Sequence, residues 1–81
     1  MGKEYTYKIT GQMTEDMETV EIDESITISQ RDTTAALAAF LVENEQLQFF
    51  GTLKTCNADD PASGAIYIDQ NEGQKIEIEL I

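Results

Sequence analysis

The sequence predicts an α+β fold: a single small domain spanning residues 1–81, ββαβββ in order, with a mostly antiparallel sheet and one helix packed on one face. Three observations carry this expectation. Several stretches alternate apolar and polar residues, the period of a half-buried strand. One alanine-rich stretch instead spaces Leu37, Phe40 and Leu41 at i, i+3, i+4, the stripe of an amphipathic helix. The chain has 81 residues, 41% of them apolar, enough for one modest core, and a body of this size buries about 60% of its unfolded surface.

In Glu4 to Thr10, Tyr5, Tyr7 and Ile9 alternate with Glu4, Thr6 and Lys8, which reads as the first strand, closed by Gly11. Gln12 to Glu18 reads as a polar connection holding Met13 and Met17, with room for one helical turn. The second strand runs from about Thr19 to Ser29, with Val20, Ile22, Ile26 and Ile28 on one parity. Glu24 falls on that apolar parity, so a bulge or break is expected at Asp23-Glu24-Ser25. The helix spans Thr33 to Glu43, capped by Asp32 or by Ser29 with Asp32, and Val42 widens its apolar face.

Leu47 to Thr55 reads as one strand, with Leu47, Phe49 and Leu53 on one side and Phe50 on the other; Gly51 within it implies a bulge or close backbone contact. Cys56 to Gly64 is a loop containing the only proline. Ala65 to Asp69 and Gln74 to Ile81 form a hairpin in which Ile66 and Ile68 are expected inward, opposite Ile76, Ile78 and Leu80, with Glu77 and Glu79 outward. The opening ββα order resembles the β-grasp arrangement, in element order alone.

Charge dominates the surface. Sixteen acidic residues face five basic ones, and Glu15 to Glu24 holds six carboxylates in ten residues with no base. A net charge of −11 repels nucleic acid and anionic membranes and attracts basic partners. No histidine is present, which removes the commonest general base and every Ser-His or Cys-His nucleophile pair. A body this small has little room for a cleft that isolates two carboxylates, so no catalytic residue is expected. Cys56 is the only cysteine, ruling out an internal disulfide and, in practice, a structural zinc site. Loops at Asp59-Asp60 and Asp69-Asn71-Glu72 depart from the calcium-loop pattern and read as turn formers. Neither metal nor cofactor is expected. The start turns polar at once, without the apolar segment of a secretion signal, and the longest apolar stretch, Ala35 to Val42, is far short of a bilayer span. A cytoplasmic setting is expected.

The acidic surface has a plain reading as solubility and protection of strand edges. The functional reading is a partial nucleic-acid mimic occupying a basic site on a partner protein. Same-face residues on a strand recur every ~6.7 Å, whereas a duplex carries one charge per ~1.7 Å. Full duplex mimicry is therefore strained, and a decoy for a single-strand channel or short basic patch fits better. The candidate contact residues are Glu15, Asp16, Glu18, Glu21 and Asp23, joined by Glu77 and Glu79 if the last strand lies beside the second. Met13, Met17, Phe50 and Tyr67 are candidate apolar anchors; Phe50 packed under the loop and Tyr67 on the sheet's outer face are their plainer readings.

In size, charge and lack of catalytic groups the chain is similar to phage-encoded inhibitors of host nucleases and CRISPR effectors. That resemblance of composition implies a nucleic-acid-processing enzyme as partner. The alternative is an adaptor module that associates, as a homodimer or with another protein, through an apolar patch or the sheet edges of Glu4–Thr10 or Leu47–Thr55.

Overall fold

Tyr5–Glu15 (β1) and Glu18–Ile28 (β2) form a hairpin whose pairing runs without a break from Tyr5 opposite Ile28 to Glu15 opposite Glu18. It is the spine of a computed structural model that describes residues 2–81. Thr33–Glu43 (α1) follows, then Leu47–Gln48 (β3), Thr52–Cys56 (β4), a 3-10 turn at Pro61–Ser63, Gly64–Asp69 (β5) and Gln74–Leu80 (β6). Every pairing is antiparallel. The strands lie in the order β2-β1-β6-β5-β4, with β3 added to β1 beyond the end of β6. The α+β expectation holds: six strands in one sheet, one helix across it.

The first strand does not stop at Gly11. Gly11 sits in β1 at φ +135, and a Cβ there would come within 2.0 Å of the Lys75 carbonyl oxygen. The glycine allows β1 and β6 to approach rather than ending the strand. Nor is there a helical turn between Gln12 and Glu18. Strand continues to Glu15, and Asp16 and Met17, both left-handed at φ 54 and 70, make a two-residue turn matching the twist of its strands. The bulge expected at Asp23-Glu24-Ser25 is absent. β2 is an edge strand, so Glu24, opposite Ile9, passes the sheet margin into water without bending the backbone.

Helix α1 has the expected bounds. Asp32 caps it, its carboxylate accepting from the Thr34 N–H at 2.9 Å, and Asn44 closes it by donating to the Phe40 carbonyl. Ala36, Leu37 and Phe40 are buried against Tyr7, Ile9, Met13, Ile22, Ile26, Ile76 and Ile78. Val42 is exposed rather than part of the apolar face.

Leu47 to Thr55 is two strands, not one. β3 pairs with β1, whereas β4 pairs with β5 across a register shift between Leu53 and Thr55. Between them Phe49 turns into the core, and Gly51 lies so close to the Phe49 ring that a side chain would not fit. The parity of β5 is the reverse of the expectation. Tyr67 pairs with Ile76 and Ala65 with Ile78, so Ala65, Tyr67 and Asp69 face the helix, and Ile66 and Ile68 are half-buried on the outer face. The Tyr67 hydroxyl bonds Thr33 and Thr34 at the helix start. A polar tip with partners makes an aromatic ring a better core residue than the alternation suggested. Of the two expected edges, Glu4–Thr10 falls mostly within the interior strand β1, whereas Leu47–Thr55 supplies most of the edge strand β4; the opposite edge of the sheet is β2.

Candidate functional site

The seven acidic candidates fall into two groups. Glu15, Asp16 and Glu18 surround the turn at one end of the hairpin. Glu21 and Asp23 on β2, and Glu77 and Glu79 on β6, stand on the face opposite the helix. The last strand does not lie beside the second, because β1 runs between them. Asp23 and Glu77 flank Thr10, and Ser25 and Glu79 flank Lys8, which separates the two acidic rows by two strand spacings, about 9.6 Å.

That separation places bases within the acidic field. Lys8 Nζ lies 3.9 Å from Asp23 Oδ1 and directly opposite Glu79. Gln12 donates to Glu21 at 2.8 Å. Lys75 occupies the same face, paired with Ile68. Four carboxylates there stand against two ammonium groups, so the outer face is more nearly balanced than the sequence cluster implied. An open groove of about 560 Å³ borders it, with Thr55, Gly64, Ile66, Glu77 and Glu79 among its lining.

The turn end is the more acidic region. Leu47 pairs with Glu15, bringing Glu45 to this end. Gln74 Nε2 donates to Thr14 at 2.7 Å, bringing the β5–β6 turn and Glu72 there too. Sequence reasoning missed Glu45 and Glu72, because they join the cluster only through pairings between distant segments. Met17, at the turn, is 95% exposed. Phe50 is 78% exposed, and its N–H donates to Asp69 Oδ2 beside the same β5–β6 turn. Two of the four apolar anchors are thus at the surface. The other two are not: Met13 is 0% and Tyr67 4% exposed, both on the helix side of the sheet.

At the opposite end Arg31 donates to Asp60 through both terminal guanidinium nitrogens, Nη1 and Nη2. The guanidinium holds the Asp60 carboxyl below its usual range, and the same hydrogen bonding raises Arg31. Asp69 is the turn former expected, accepting from the N–H groups of Asn71 and Glu72; in the other loop the acceptor is the Asn57 amide oxygen, which takes the N–H groups of Asp59 and Asp60, rather than either aspartate. Among the described residues no group of three or more Cys, Asp or Glu side chains is placed to hold a metal ion. No helix among them is long and apolar enough to cross a membrane.

Compared with protein-family models, with curated proteins and with solved structures, the chain matches none.

Proposed function

We propose that this is a non-enzymatic cytoplasmic binding protein that occupies a basic, nucleic-acid-binding site on a partner protein, in the manner of phage-type inhibitors of host nucleases or CRISPR effectors. One observation carries the reading: the β1–β2 turn, the segment entering β3 and the β5–β6 turn lie at one end of the molecule and carry Glu15, Asp16, Glu18, Glu45 and Glu72, with Met17 and Phe50 exposed there. Apolar anchors among groups of one charge suit a desolvated contact with an electropositive rim. The long axis of 39 Å is the length over which a duplex would present about 23 charges. The protein's net charge is −11 and spread over all faces, so the reading is confined to a short basic patch or single-strand channel.

The test is binding to purified nucleases and RNA-guided effectors at roughly 50 and 200 mM salt, with competing oligonucleotide. Affinity should fall with salt, the oligonucleotide should displace the protein, and Glu15→Gln, Asp16→Asn and Glu18→Gln together should weaken binding about tenfold or more. Binding unmoved by salt and by the triple substitution would refute the reading.

A further inference from the structure

β2 is an open edge of unusual continuity. Glu15 and Glu18 close a two-residue turn, so they form a hydrogen-bonded pair and the pairs alternate from there. Val20, Ile22, Glu24, Ile26 and Ile28 therefore bond inward to β1. The backbone N–H and C=O groups of Thr19, Glu21, Asp23, Ser25 and Thr27 point away from the sheet, and among the described residues β2 pairs with β1 alone. Edges are usually shortened, bulged, or guarded by proline or by charged side chains, lysine above all; the guards on β2 are all acidic, so they turn away acidic chains and leave the edge open to basic ones. The other edge, β4, is five residues long, carries Lys54 and shifts register beside it. β2 runs eleven residues with no bulge, no proline and no lysine.

The side chains on this edge select its occupant. A second copy fits poorly along the whole strand: antiparallel pairing centred on Glu21, Asp23 or Glu24 sets that acid against itself, centring on Ile22 sets Glu21 against Asp23, and centring on Ser25 spares the acids only by leaving Glu18 to Glu21 outside the paired strand and giving Asp23 and Glu24 no base. Like charges directly opposite are destabilising. Glu24 on the helix side and Glu21 and Asp23 on the outer side, all exposed, favour bases across from them, while half-buried Val20, with Ile22 and Ile26 at 7% exposure beside it, accepts small apolar neighbours.

We infer that the β2 edge takes up an extended basic segment of a partner protein as a seventh, antiparallel strand. Its lysines or arginines would face Glu21, Asp23 and Glu24, and its β-branched residues would pack across from Val20, Ile22 and Ile26. The inference rests on the proposed binding of a basic protein site and adds to the turn end a second contact, the adjoining β2 edge.

The blocked peptide Thr-Val-Thr-Lys-Lys-Val-Lys-Val-Thr sets valine opposite Val20, Ile22 and Ile26, and lysine opposite Glu21, Asp23 and Glu24. Its binding to the intact protein, followed by amide hydrogen exchange, should slow exchange at Thr19, Glu21, Asp23, Ser25 and Thr27. Exchange on β4 should stay unchanged. N-methylating the two lysines opposite Glu21 and Asp23 should weaken binding about tenfold or more, since those N–H groups bond the edge. Ser25→Pro keeps every acid and removes an outward N–H, so it should abolish binding while the melting temperature holds. If the N-methylated peptide binds as tightly as its parent, or protection appears away from β2, edge addition is overturned. The charge reading fails separately, if the glutamate analogue of the peptide binds equally well at low salt.

Discussion

Tyr7 reaches from the interior of the sheet to the point where the chain enters the helix. Its hydroxyl donates to the Gln30 carbonyl at 2.9 Å and accepts from the Asp32 N–H at 2.7 Å. Tyr7→Phe leaves both backbone groups without that partner and should cost about 1–3 kcal/mol in urea unfolding near neutral pH. Burial raises the phenol above its ordinary 10.0, against the smaller lowering effect of the Asp32 N–H. The folded state therefore holds this proton more tightly than the unfolded state. Its contribution is complete below about pH 10 and is lost as pH rises through the folded value. The component of alkaline destabilisation due to Tyr7 should vanish in the phenylalanine variant. Gly11 is a second residue on which the sheet depends. Gly11→Ala forces a left-sided φ and a clash with the Lys75 carbonyl, so a loss of about 2 kcal/mol or more is expected, read as a lower thermal midpoint by circular dichroism.

At the scale of elements, Asp16 and Met17 occupy the two positions where glycine or asparagine is preferred, and Met17 has a left-handed backbone that costs a side-chain-bearing residue roughly 1 kcal/mol. Met17→Gly should raise stability by about 0.5–1 kcal/mol in chemical denaturation. It should also weaken partner binding, because the exposed thioether side chain is lost while every acid remains. The missing glycine explains why this turn was illegible in the sequence: Gln12 to Glu18 offers no turn dipeptide, and Gly11 looks like a terminator. Where local chemistry and tertiary pairing agree, the elements were readable. Asp32, the alanine run and Asn44 mark the helix, and Asn71 and Gly73 mark the last hairpin. The inward turn of Phe49 and the burial of Asp69 and Gln74 depend on which strands meet, which periodicity alone does not specify.

For the whole molecule, a net charge of −11 on a body of 39 × 27 × 16 Å implies self-repulsion that salt relieves. The thermal midpoint should rise between roughly 0.02 and 0.2 M sodium chloride, and a flat or falling midpoint would show the acids already compensated. The acidic cluster at Glu15 to Glu24 was plain in the sequence. The separation of Glu21 and Asp23 from Glu77 and Glu79 was not, because β1 enters between β2 and β6 and brings Lys8 beside Asp23. Strand order has a further consequence, for the time at which the molecule can form. β6 is made after the other five strands yet lies between β1 and β5. A nascent chain still holding β6 in the ribosomal tunnel has two unjoined pieces, the β1–β2 hairpin and the short β4–β5 pair. Until Leu80 emerges, cooperative folding waits on translation, and the half-built sheet is the species a chaperone would meet.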